Sequence, residues 1–176
     1  MRTRMRKSLR IVGVAFLVIA LVFVVMLVLG AMQPRAHTAT VGAVISAPQA
    51  VVWQRIEDTA QQPTWRSGLN AVQPLPPQNG HTCWMEIQKM GKMPLCEVLT
   101  AAPATRIVAI ADPKLPFGGT WTYELTAIDP MSTRISITEN GTTGPLLYRF
   151  LGHYVFHEDT MIKQYEADLQ KSVGKP

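Results

Sequence analysis

Residues 144–174 read GPLLYRFLGHYVFHEDTMIKQYEADLQKSVG, and the fold turns on how this stretch is taken. Leu147, Leu151, Tyr154, Met161, Tyr165 and Leu169 recur at spacings of three and four, with a single gap of seven. That periodicity predicts one long helix with a single buried side. Thr143 is placed to cap it, and Pro145 suits its first turn, where a missing N–H costs nothing. Lys171, Gly174 and Pro176 form a stop signal at the far end. Glu158 falls in the gap of the stripe, and Gly152 together with His157-Glu158-Asp159 marks where the helix can kink or divide. A helix of about 28 residues would span roughly 42 Å. Other elements have to cover its apolar side.

The chain before it is suited to supply that cover. Residues 40–46, 69–75, 82–88, 95–100, 106–111, 120–128 and 133–140 are strand-like, rich in β-branched and aromatic residues and bounded by Pro, Gly, Asn and Asp. Pro48 opens a helix with Val52 and Ile56 inward, and Pro63-Thr64-Trp65-Arg66 reads as a short helix or turn. Asp129-Pro130-Met131-Ser132 has the residues of a type I turn. Strand alternation turns Trp121, Tyr123, Leu125 and Ala127 to one face, towards the long helix, and does the same for Ile135, Ile137 and Glu139. A run of antiparallel strands with segregated helices is an α+β pattern.

At the other end, Arg2, Arg4, Arg6, Lys7 and Arg10 precede an uncharged apolar run from residue 11 to residue 32. As a helix that run is about 33 Å long, enough to cross a bilayer core. Only Arg35 follows closely, so the basic excess lies on the N-terminal side. This predicts a cytoplasmic N-terminus and an exported remainder. The alternative is a cleaved signal peptide, whose apolar region is ordinarily about 7–15 residues; Leu29-Gly30-Ala31 is a passable cleavage site. The expected organisation is a basic flank 1–10, an anchor 11–32, a tether 33–39 and a ligand-binding domain 40–173. Of the 17 basic residues, five lie in the first ten positions, which leaves the exported part with as many bases as its 12 acids. The pI near 9.5 therefore belongs mostly to the flank and gives no reason to expect a nucleic-acid partner.

An ordered set of residues carries a resemblance. It runs Ala47-Pro48, Val52-Trp53, Asp58, Pro63, Trp65-Arg66, Trp84-x-Glu86, Gly91, Met93, then Leu115-Pro-Phe-Gly-Gly-Thr-Trp-Thr-Tyr-Glu-Leu125, Ile137-Thr-Glu139, Gly141 and Tyr148-Arg149-Phe150. Over about residues 40–170 the chain resembles the START-like (SRPBCC) superfamily, in its polyketide cyclase/dehydrase and lipid-transport branch. The resemblance implies a helix-grip fold: a seven-stranded antiparallel curved sheet around a long C-terminal helix, with an apolar cavity between them. That superfamily includes carriers, sensors and a few enzymes, so it bounds function loosely.

The expected cavity residues are Trp65, Trp121, Tyr123, Ile135, Ile137, Glu139, Leu151 and Tyr154, with the loop Leu115-Pro116-Phe117-Gly118-Gly119 as a gate. Glu139, inward and flanked by isoleucines, is the candidate acid or base, and the alternative is a structural carboxylate. His153 and His157 are four apart and Glu158 or Asp159 could add a ligand, but no Cys or further His is placed to complete a set, so no metal site is expected. No nucleophile motif and no phosphate-binding glycine loop is present, and no cofactor is expected. Cys83 and Cys96 lie on opposite arms of a hairpin near Gly91. They face each other if pairing centres on Lys89 and Met90, and are offset by two if it centres on Met90 and Gly91. The expected function is binding of a hydrophobic small molecule or lipid by a membrane-anchored exported domain. A cyclase/dehydrase-type enzyme and a protein-interaction module remain the alternatives.

Overall fold

Period-two alternation shapes the larger part of the molecule. The computed structural model describes residues 2–89, 91–157 and 159–173, with the backbone alone for residues 2–10. Among these, seven strands form one antiparallel sheet: β1 (Ala36–Ile45), β2 (Leu69–Gln78), β3 (His81–Gln88), β4 (Gly91–Ala101), β5 (Thr105–Ile110), β6 (Phe117–Asp129) and β7 (Ser132–Thr143). Their order across the sheet is β1-β7-β6-β5-β4-β3-β2. β1 begins at Ala36, which pairs with Thr142, so most of the expected tether is already strand.

Two helical segments follow β1. Helix α2 (Gln49–Glu57) buries Val52, Trp53 and Ile56, the i, i+1 and i+4 positions of one face. A 3₁₀ turn, Thr59–Thr64, is capped by Asp58, whose carboxylate accepts from the Gln61 N–H. The β2–β3 turn places Asn79 and Gly80 both at positive φ, 51° and 82°, as a two-residue hairpin that matches strand twist requires. Asp129 closes the β6–β7 turn by accepting from the Met131 N–H at 2.8 Å and from the Ser132 hydroxyl. These bonds hold its carboxyl below the ordinary value.

The helix expected over 144–174 is divided. It consists of α3 (Leu146–Leu151), one π-helical turn (Gly152–Phe156), and α4 (Thr160–Val173). The break comes at His157, whose φ of +54° no α-helix can contain. Pro145, rather than Thr143, occupies the cap of α3, with no side-chain bond. The buried residues of α4 include Ile162, Glu166 and the expected Leu169, whereas Met161, also expected on the buried side, is 59% exposed. Glu158, Met90 and the stop residues Gly174 and Pro176 lie outside the described residues.

The chain forms two units. One joins Met1–Arg35 to Gly144–His157, and the other joins Ala36–Thr143 to Glu158–Pro176. In the first unit α1 (Arg2–Met32) packs against α3. Its residues Ile11–Met32 are long and apolar enough to cross a membrane, and they are largely exposed. In the second unit α2 and α4 pack on the sheet. Ile45, Val52, Ile56, Leu125, Ile135, Ile137, Ile162 and Leu169 make the core there.

Cys83 pairs with Cys96 and Gln88 with Gly91, so the hairpin adopts the facing register, and the two cysteines form a disulfide. By alternation the cystine lies on the opposite face of β3 and β4 from Trp84 and Leu95.

Candidate ligand-binding cavity

Between the sheet and α4, within the second unit, lies a cavity of about 320 Å³. The inner faces of five consecutive strands build one wall. β3 supplies Trp84, Glu86 and Gln88, each two residues apart, and β4 supplies Met93 and Leu95. β5 supplies Arg106 and Val108, β6 Trp121 and Tyr123, and β7 Ile137. Register makes these neighbours. Trp84 lies opposite Leu95, Val108 opposite Trp121, Arg106 opposite Tyr123, and Tyr123 opposite Ile137. The other wall comes from Met161, Ile162, Gln164, Tyr165 and Asp168 of α4, and from the segment around Gln62 and Arg66.

Two arginines, Arg106 buried and Arg66 half-buried, organise the polar part. Arg66 holds Glu86 in a fork, Nη1 to Oε1 at 2.5 Å and Nη2 to Oε2 at 3.3 Å. Gln88 Nε2 donates to the same carboxylate at 2.9 Å, and Arg66 Nη1 also donates to Gln62 Oε1 at 2.6 Å. Gln62 in turn donates to the Ile56 carbonyl at 3.0 Å, which also accepts from Arg106 Nη1. That carbonyl ends α2, so a cation and an amide satisfy an acceptor the helix leaves open. Arg106 Nη2 is 2.7 Å from Glu97 Oε2. Burial works against the Arg66 charge, but Glu86 and the neighbouring tyrosines outweigh it, and the guanidinium pKa lies above its ordinary value.

Aromatic rings close around these cations. Arg66 lies 5.1 Å from the Tyr165 ring centroid and Arg106 5.4 Å from that of Trp84. Tyr165 meets Trp65 edge-on at 5.3 Å and Tyr123 at 5.6 Å. Burial pushes both tyrosine hydroxyls above their ordinary pKa, so they stay protonated donors at neutral pH. Trp84 Nε1 is a buried donor without a hydrogen-bond partner among the described residues. The polar part of the cavity is therefore rich in donors. At one rim, Asp168 accepts from the Ser67 N–H and hydroxyl at 2.7 and 2.6 Å and from Gln164 Nε2 at 2.9 Å. Burial opposes its charge, yet these bonds leave the carboxyl below its ordinary value.

Of the residues expected here, Trp121, Tyr123 and Ile137 line the cavity. Ile135 and Trp65 lie in the adjoining core. Glu139 is opposite Trp121 and Ala39 in register, with its Oε1 3.7 Å from His37 Nε2, and is not among the lining residues. The carboxylates that reach the cavity are Glu86 and Asp168. Leu151 and Tyr154 belong to the first unit, because the chain breaks at His157 before α4 begins. The residues 115–119 do not line the cavity either, and Phe117 already starts β6. His153 lies in the π turn and His157 beyond it, so they do not share a helix face, and no metal-ligating group occurs among the described residues.

Sequence reasoning left out Glu86 and Arg106 as site residues, although the signal was present. Both stand on the inward period of their strands, beside Trp84 and Val108, as Glu139 does beside Ile137. A charged residue at an inward position is informative wherever it occurs.

Glu166 was also unforeseen. It is 6% exposed, its Oε1 has no hydrogen-bond partner among the described residues, and burial pushes its pKa up to about 7. The folded protein thus keeps a proton there that the unfolded chain releases near the ordinary 4.5. Stability should fall as pH rises through that window. Glu166→Gln is expected to match the parent near pH 5 and to exceed it near pH 8 by on the order of 1–2 kcal/mol, after allowance for residual solvent screening. Chemical denaturation at the two pH values checks this; equal stability at both would show that the carboxylate is solvated.

No protein-family model matches the sequence. No curated protein matches it either. Solved structures do. The Zhui aromatase/cyclase from a Streptomyces species superposes with a TM-score of 0.68 at 11% identity, over 80% of this chain and 94% of that one. A START superfamily protein from Mycobacterium smegmatis gives 0.63 at 12% identity, over 79% of this chain and 98% of that one. Norcoclaurine synthase from Thalictrum flavum gives 0.62 at 10% identity, over 80% and 88%. At these identities the likeness is one of fold: a seven-stranded antiparallel sheet gripping a C-terminal helix.

Proposed function

We propose that this protein is a membrane-anchored, exported binding domain for a compact, largely apolar small molecule that carries oxygen acceptors. The observation that carries this reading is the makeup of the cavity. Trp84, Leu95, Val108, Trp121 and Ile137 offer apolar wall, while Arg66, Tyr123, Tyr165 and the indole N–H of Trp84 offer donors. A few convergent polar groups in an apolar cleft are the usual composition of a small-molecule site. A volume of about 320 Å³ is at the small end of such sites, which favours a ring-sized molecule over a whole phospholipid. Carbonyl, phenol or carboxylate oxygens would meet the donors, and a ligand lacking them would leave buried donors unpaired. Two of the fold relatives bear enzyme names, aromatase/cyclase and norcoclaurine synthase. Their fold supports a cavity between sheet and helix, and the choice of ligand class rests on the residues found here.

Two independent features support export. Five basic residues crowd the ten positions before the apolar span, while Arg35 alone follows it closely, and this asymmetry supports an N-terminus inside. The Cys83–Cys96 bond belongs to an oxidising compartment.

The test is native mass spectrometry of the full chain in detergent, followed by extraction of whatever co-purifies, with titration of an apolar fluorescent probe. A bound small molecule bearing oxygen is expected. Trp121→Ala should weaken the probe by about tenfold, because the ring forms part of the wall and its loss gives up roughly 1.4 kcal/mol of apolar contact. Absence of any bound molecule together with no probe binding would overturn the reading.

A further inference from the structure

Leu146, Tyr148, Tyr154, Val155 and Phe156, on α3 and the π turn, are between 36% and 55% exposed. A cluster of this kind needs an apolar neighbour. Its position within the first unit identifies one. The α1 residue Gly30 is buried, although residues 11–25 upstream of it are largely exposed, and a Cβ there would lie 2.0 Å from the Leu146 carbonyl oxygen. Only glycine permits that approach. Gly30 stands two residues before Met32, the end of the apolar span. At 1.5 Å per residue this sets Leu146 within about 3 Å of the depth at which the span ends. Gln33, the first residue past the span, fixes the rest of the segment. Its Nε2 donates to Tyr154 Oη at 2.9 Å, and its carbonyl accepts from Arg149 Nη1 at 3.2 Å. Residues 146–156 are thus held level with the end of a membrane-spanning helix. Their composition suits that level: tyrosine rings with an apolar body and polar tip, a basic Arg149, and Phe150, Val155 and Phe156.

We propose that residues 146–156 are an interfacial membrane element, lying at the boundary between lipid headgroups and acyl chains and immersing Tyr148, Val155 and Phe156. The inference rests on the reading of residues 11–32 as a spanning anchor. It also gives a physical reason for the divided helix: α3 and the π turn serve the membrane, and α4 alone serves the sheet.

Both native cysteines are in the disulfide, so a single introduced cysteine can be spin-labelled without reductant. The full chain is reconstituted in phosphatidylethanolamine and phosphatidylglycerol vesicles as Val155→Cys, Phe156→Cys, Val18→Cys in the span, and Gln78→Cys at an exposed polar position of β2. Collision rates are measured with oxygen, which concentrates in lipid, and with a water-soluble nickel complex. The expected oxygen-to-nickel ratio at 155 and 156 is severalfold above that at 78 and below that at 18. Labels at 155 and 156 that match 78, while 18 is immersed, overturn this inference and leave the anchor standing. A label at 18 that matches 78 overturns both.

Discussion

Arg66→Met should cost about 3 kcal/mol of unfolding free energy and lower Tm by roughly 10 °C. The Glu86 side chain is only 4% exposed, and both of its oxygens face the Arg66 guanidinium. Removing the cation leaves a carboxylate in the cavity whose remaining side-chain donor among the described residues is the Gln88 amide. An uncompensated charge in that setting is far more damaging than the loss of a surface pair. The effect should be non-additive. In Arg66→Met/Glu86→Leu no charge is stranded, and most of the lost stability should return, because apolar replacement of a buried pair is often close to neutral. Thermal and denaturant unfolding of the two single variants and the double variant, in detergent, measures the coupling. Single and double variants of equal stability would show that solvent, not protein, satisfies the pair. Probe binding supplies a second readout, since the double variant should fold and yet lose the preference for ligands bearing oxygen acceptors.

Loss of the disulfide is the second large effect. Cys83 and Cys96 are 13 residues apart, and closing a loop of that size restricts the unfolded chain by about 3 kcal/mol in the chain-entropy account. Cys83→Ser/Cys96→Ser should be destabilised by roughly that amount, as should the parent treated with reductant. Protein purified without reductant and then unfolded should show no free thiol. Two free thiols would remove both the bond and one of the two supports for an oxidising compartment. The same measurement therefore checks the fold and the proposed location.

Much of the fold was legible because strand alternation is a local property. Trp121, Tyr123 and Leu125 on β6, and Ile135 and Ile137 on β7, turn inward as period two requires, and the hairpin turns carry the residues their backbone angles demand. The helix stripe was less secure. Leu147, Leu151 and Tyr154 continue the spacing of Met161, Tyr165 and Leu169, yet they belong to a different unit. Spacing alone cannot tell a helix that bends from one that ends, since a single residue at positive φ leaves the pattern on either side intact. The hairpin register was open for a related reason. Two centres one residue apart satisfy the same composition, and pairing of Gln88 with Gly91 chooses between them.

By itself the sequence determined the apolar span with its basic flank, the order of strands and helices, the inward faces of the last two strands, and the α+β class. Each follows from charge, composition or a period read within one element. Only the tertiary structure decided the polar site. Arg66 follows the 3₁₀ turn, Glu86 stands on β3, Arg106 on β5 and Tyr165 on α4, and they meet because sheet order and register bring separate elements together. The same holds for Gly30 against Leu146, where a close approach between residues far apart in the chain depends on packing that no local period describes.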